Sequence, residues 1–138
     1  MSKYSKYPFC KLYKGLMMAF SLPEAAFMAY MADLNNLREA GGNTLRTMKN
    51  HLGHLGIGRY AFEKCITKTI SMGLLERIEI DGTYDYIWDQ RAYEKLLIIV
   101  SANSNYKALQ QFCKRAFDEE KRKVASITEG EIERLSKM

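Results

Sequence analysis

The sequence predicts a mainly α-helical fold with one small β-hairpin: a three-helix core closed by two short strands, with additional helices on the carboxy-terminal side. Between Asn43 and Met72, two short helical patterns are joined through Gly56-Ile57-Gly58; the first turns Met48, Leu52 and Leu55 inward and the second Phe62, Cys65, Ile66 and Ile70. Directly after them, Ile78 to Trp88 alternates on both sides of Asp81-Gly82, a dipeptide favoured by two-residue hairpin turns. The chain of 138 residues, with 47% apolar and 27% charged side chains, is long enough for one core and ordinary in composition for a folded protein.

Residues 1–20 form an entry segment in which Lys3, Tyr4, Lys6, Tyr7, Lys11, Tyr13 and Lys14 interleave cations with aromatics. It reads either as an arm that lies on a nucleic acid or as a loose start followed by a packed segment, Phe9 to Phe20, that covers the core. Ser21 with Glu24 three residues later is a capping box, and Pro23 falls in the first turn, where a missing N–H costs little. The helix that starts there holds Phe27, Tyr30, Met31, Leu34 and Leu37 on one face until Gly41-Gly42, with Asp33, Asn36 and Arg38 toward water.

Asn43 is a suitable N-cap for a second helix that turns Leu45, Met48, Leu52 and Leu55 inward. Gly53 costs about 1 kcal/mol relative to Ala inside it, which favours an end near Leu52. A third helix, about Arg59 to Met72, leaves Arg59, Tyr60, Glu63, Lys64, Thr67, Lys68 and Ser71 opposite its apolar stripe. The phrase Gly73-Leu74-Leu75 ends it. In the hairpin that follows, a two-residue turn pairs Ile80 with Thr83, placing Ile78, Ile80 and Ile87 on one face and Tyr84, Tyr86 and Trp88 on the other. Residues 21–90 thus make one domain.

Residues 91–138 read as a helical extension. Arg91 to Val100 has the pattern of a largely buried helix, Ser101 to Asn105 is a polar break, and Tyr106, Leu109, Phe112, Cys113, Ala116 and Phe117 form a stripe before the charged run from Asp118 to Lys123. That stripe packs on its own domain or pairs with a second copy, giving a homodimer through Tyr106, Leu109, Phe112 and Phe117. Thr128 and Glu131 repeat the capping pattern, with Ile132 and Leu135 on one side.

Composition excludes several function classes. The longest apolar run, Leu96 to Val100, falls far short of the about 20 residues a bilayer requires, and no signal-peptide core is evident, so a cytoplasmic protein without a membrane partner is expected. Cys10, Cys65 and Cys113 are odd in number and unpaired in spacing, which argues against a disulfide framework or zinc site and for Cys65 and Cys113 as small buried hydrophobes. His51 and His54 share a helix face with no third metal ligand beside them. No phosphate-cradling glycine loop is present, since Gly53 to Gly58 lacks Lys and Ser or Thr, and no nucleophile-base set can be assembled. No enzyme, cofactor or metal is therefore expected. The net charge of +5, with 21 basic against 16 acidic side chains, favours an anionic partner.

The segment Leu55-Gly56-Ile57-Gly58-Arg59, then Ile66 and Ile70-Ser71-Met72-Gly73-Leu74-Leu75-Glu76-Arg77, resembles the core of winged helix-turn-helix DNA-binding domains over residues 20 to 90. With Lys11 to Leu16 and Ser21-Leu22-Pro23-Glu24-Ala25-Ala26, the order is also similar to the amino-terminal domains of plasmid and phage replication initiators. Gly58 stands where that family usually has Ser or Thr, and Thr69 where a core Leu is common, which suggests that Ile70 takes part of the core role. The resemblance implies a duplex-DNA-binding protein, a transcriptional regulator or replication-initiation-type protein of bacterial or mobile-element origin. The third helix would enter the major groove with Arg59, Tyr60, Lys64, Thr67, Lys68 and Ser71, while Arg46, Lys49 and His51 hold phosphates. Glu76, Glu79, Asp81 and Asp85, against Arg77 alone, would keep the wing tip off DNA. The alternative is a protein-interaction module that uses the Tyr84, Tyr86 and Trp88 face.

Overall fold

The computed structural model describes residues 11–39 and 56–138, and over them the chain is mainly helical with one antiparallel hairpin. A short helix, α1 (Lys14–Ala19), leads into α2 (Leu22–Glu39). The turn between them is set by the expected capping box: Ser21 Oγ accepts from the Glu24 N–H at 3.3 Å, and the Ser21 N–H donates to Glu24 Oε1 at 2.9 Å. Phe27, Met28, Met31 and Leu34 are buried along α2, and Asn36 is exposed. The side chains of Leu37 and Arg38, and the second helix expected from Asn43 to Leu55, lie outside the described residues.

Helix α3 (Arg59–Ser71) starts at Gly58, whose extended backbone serves as N-cap without a side-chain hydrogen bond. It ends where Gly73, at φ 79°, turns the chain and brings the Leu74 N–H to the Thr69 carbonyl at 2.9 Å. Strands β1 (Leu75–Ile80) and β2 (Thr83–Trp88) follow at once, with Ile80 opposite Thr83 and Leu75 opposite Trp88. Positive φ at both Asp81 (51°) and Gly82 (78°) marks a type I′ turn, whose twist matches that of the flanking strands.

The hairpin's aromatic face is turned into the molecule. Leu75, Tyr86 and Trp88 are buried; the Trp88 ring lies 5.4 Å from Tyr93, and its indole N–H donates to Gln90 Oε1 at 3.1 Å. Tyr93 belongs to α4 (Gln90–Ser101), capped by the Asp89 carboxylate on the Ala92 N–H. Helix α1 crosses close to α4: a Cβ on Gly15 would stand 2.7 Å from the Val100 carbonyl oxygen, so only glycine permits this approach.

Helix α5 (Tyr106–Cys113) runs into a π-helical turn (Lys114–Glu119), then a 3₁₀ turn (Val124–Ser126) and α6 (Glu129–Ser136). These pieces build the core. Leu109, Phe117, Val124, Ile127 and Leu135 are buried in the same cluster as Phe27, Phe62 and Leu96, and the Phe117 ring stacks on Phe20 at 6.3 Å. The stripe from Tyr106 to Phe117 is thereby used within the chain. Leu109 and Phe117 cannot face a second copy, which leaves only Tyr106 exposed and Phe112 half-buried of the four residues expected at a homodimer contact. Leu16 and Phe20 are likewise buried, so the described part of the entry segment is packed.

The carboxy-terminal segment is pinned at the junction of α3 and the hairpin. The Val124 N–H donates to the Met72 carbonyl at 2.8 Å, and Lys123 Nζ donates to the Ile70 carbonyl at 3.1 Å while its stem passes over Gly73. Arg122 secures the next turn through two bonds to the Glu131 carboxylate, at 2.6 and 2.8 Å, and one to the Ser126 carbonyl. Glu131 is itself the far half of the capping box begun by Thr128.

Candidate nucleic-acid interface

The two faces of α3 separate core from surface. Phe62, Cys65, Ile66 and Thr69 are buried, with Phe62 edge-on to Phe27 at 5.4 Å. Thr69, rather than Ile70, takes the fully inward position. Its hydroxyl donates to the Cys65 and Ile66 carbonyls at 2.8 and 3.0 Å, so a polar side chain enters the core with its donor satisfied. Burial pushes the Cys65 thiol up to about 11 and the Cys113 thiol up to about 12, which keeps both as neutral, unreactive packing groups.

On the outer face, Arg59 pairs with Glu63 at 3.2 Å across one helical turn, and the Lys64 ammonium sits 5.0 Å from the centre of the Tyr60 ring. Tyr60 is 73% exposed. Thr67 is exposed, with its hydroxyl donating to the Glu63 carbonyl at 3.1 Å, and Ser71 is half-buried.

Lys68 has a different role from the one its position on the helix suggests. Its ammonium lies 3.0 Å from Glu24 on α2 and 3.0 Å from Asp118 on the π turn, over the Phe20 ring, and the side chain is 21% exposed. Burial alone would lower the Lys68 pKa, but the hydrogen bonds to Glu24 and Asp118 outweigh it and raise the value. At Glu24 burial pushes upward, yet the Ser21 N–H and Lys68 bring the net shift down. Lys68 is thus a tie between three segments and is not available to a phosphate in this arrangement.

A groove of about 660 Å³ runs along α3, with Tyr60, Lys64, Thr67 and Ser71 on one side and Asp118 and Lys121 opposite. Asp118 and Lys121 were not legible as site residues, because nothing local in the sequence ties them to a helix some fifty residues earlier. Arg46, Lys49 and His51 lie outside the described residues.

The hairpin exposes Glu79 and Asp81 at its tip and Glu76 near its root, whereas Asp85 is 3% exposed and accepts from the Tyr86 N–H, so it adds nothing to the surface expected of it. Arg77 stacks across the exposed Tyr84 and the buried Tyr86, with its guanidinium 4.9 and 5.7 Å from the ring centres. The aromatic face proposed for a protein partner is mostly internal, since Trp88 is 4% exposed and only Tyr84 of the three reaches solvent. Among the described residues, no helix is long and apolar enough to cross a membrane. Comparison with protein-family models, curated proteins and solved structures finds no match to this chain.

Proposed function

We propose that the chain is a duplex-DNA-binding protein of the winged helix-turn-helix type, a transcriptional regulator or replication-initiation protein, with α3 as the helix that enters the major groove. One observation carries the reading: α3 is held by its buried face directly ahead of an antiparallel hairpin and presents Arg59, Tyr60, Lys64 and Thr67 outward on a chain of net charge +5. Arg and Lys reach base edges or phosphates, Thr serves either, and a single helix fits the width of the B-form major groove. Lys68 is left out of the contact set because it is neutralised by two carboxylates. The acidic tip of the hairpin keeps the wing away from the phosphates.

The test is fluorescence anisotropy with random-sequence duplex DNA between about 50 and about 200 mM salt, a range over which phosphate-driven binding weakens steeply through counterion release. Steep weakening supports the reading and calls for site selection. No binding at the low-salt end overturns it.

A further inference from the structure

We propose that the end of the carboxy-terminal π turn, with the residues that follow it, is the second wall of the DNA interface, Lys121 taking a backbone phosphate of the strand that flanks the groove read by α3. The inference rests on the DNA reading above and extends it to a segment outside the helix-turn-helix.

Lys121 occupies a costly backbone position. Its φ of 52° lies in the left-handed region, where a Cβ crowds the following carbonyl and glycine is the residue without strain. The conformation is held from both sides: the Glu120 N–H closes the last π-helical bond to the Arg115 carbonyl, and the Arg122 N–H reaches back across Lys121 to the Ala116 carbonyl, each at 2.8 Å. At such a position glycine is the common choice and lysine adds nothing to the cap, so the side chain needs another reason to be there. It lines the groove along α3 opposite Lys64. Neither Lys64 nor Lys121 forms an ion pair among the described residues, and Lys121 is exposed.

The groove's carboxylates are already engaged, Glu63 by Arg59 and both Glu24 and Asp118 by Lys68. Of the lysines lining the groove, Lys68 is shared by two carboxylates, whereas Lys64, over the Tyr60 ring, and Lys121 leave their ammonium groups without a carboxylate partner among the described residues. Ser71 adds a hydroxyl along the α3 side, and the Thr67 hydroxyl, donating to the Glu63 carbonyl, keeps its lone pairs toward the groove. Two separated cations suit a phosphodiester chain, which presents one charge per nucleotide and accepts hydrogen bonds at its free oxygens.

The experiment compares the full chain with Lys121→Gly, Lys121→Gln and Lys121→Arg, measuring the thermal midpoint and the slope of log affinity against log salt on random duplex DNA. Glycine relieves the backbone strain, so Lys121→Gly is expected to melt a few degrees higher while binding several-fold more weakly, with a slope shallower by about 0.9, the value of one phosphate contact. Lys121→Gln is expected to lose the same slope without the gain in midpoint, and Lys121→Arg to retain the slope. Steep binding by the unaltered chain with slopes unchanged in Lys121→Gly and Lys121→Gln would overturn the role of Lys121 and leave the DNA reading intact. No binding by the unaltered chain would overturn the DNA reading and this inference with it.

Discussion

Lys68 on α3 and Asp118 on the π turn meet at 3.0 Å, and the same ammonium lies 3.0 Å from Glu24, so one cation joins the start of α2, the last turn of α3 and the carboxy-terminal segment. Lys64 and Lys68, one helical turn apart, consequently have separate duties. Lys68→Ala is expected to cost about 1–2 kcal/mol in urea unfolding, below the range for a fully buried pair because the groups are partly hydrated. It should leave the salt slope of DNA binding nearly unchanged. Lys64→Ala should do the reverse, lowering the slope by about 0.9 while shifting stability by less than about 0.5 kcal/mol. A lost slope in the Lys68 variant would remove it from the structural tie.

Acid should loosen the carboxy-terminal turn in a defined window. The two hydrogen bonds from Arg122 hold the Glu131 carboxyl at about 2, against an ordinary value of 4.5. A folded value below the unfolded one means stability that is fully present above pH 4.5 and is lost as pH falls through 4.5 toward 2. Thermal midpoints measured from pH 7 down to about 2.5 should fall more steeply in the unaltered chain than in Glu131→Gln. Glu24, also lowered, contributes in the same direction and persists in the variant. Parallel curves for the two proteins would refute the Glu131 linkage.

The crossing of α1 over α4 depends on a missing side chain. Gly15→Ala places a methyl group against the Val100 carbonyl, a backbone atom that cannot rotate aside, and against Val100 Cγ2 at 2.8 Å. A loss of about 1–3 kcal/mol is expected from overpacking, read as a lower urea midpoint at unchanged m-value.

Thr69 supplies a test of the core beneath the outer face of α3. Thr69→Val keeps the shape and removes the one hydroxyl proton shared between two carbonyls, so a cost of about 1 kcal/mol is expected. Thr69→Leu adds volume where the site is filled and should cost more, about 1–3 kcal/mol, by the same urea measurement. A stabilised leucine variant would show that the threonine leaves a void.

What was legible in the sequence is what depends on near neighbours. Ser21 with Glu24, Thr128 with Glu131, and Asp81-Gly82 each state a local geometry, and the structure has all three. The 3.6-residue spacing of Phe62, Cys65 and Ile66 likewise gave the buried face of α3. Contacts between distant segments were not legible. A lysine on the polar side of a helix looks the same whether it meets water, a phosphate or a carboxylate, and Lys68 was decided by Asp118. The apolar stripe from Tyr106 to Phe117 calls for a cover without naming it, and the cover proved to be the chain's own core. Asp85 alternates correctly within its strand, but register alone says nothing of its burial.

The bond from the Val124 N–H to the Met72 carbonyl, with Lys123 clasping Ile70 across 53 residues, also orders events during synthesis. Contacts so distant in sequence form only after their later partner exists, and closing such a long loop slows the step that makes them. A ribosome-bound chain that has released α3 and the hairpin still lacks the residues that anchor the root between them. The outer face of α3 is therefore fixed only after residues near 124 have left the exit tunnel, and a nascent chain halted earlier carries α3 without its completed mount.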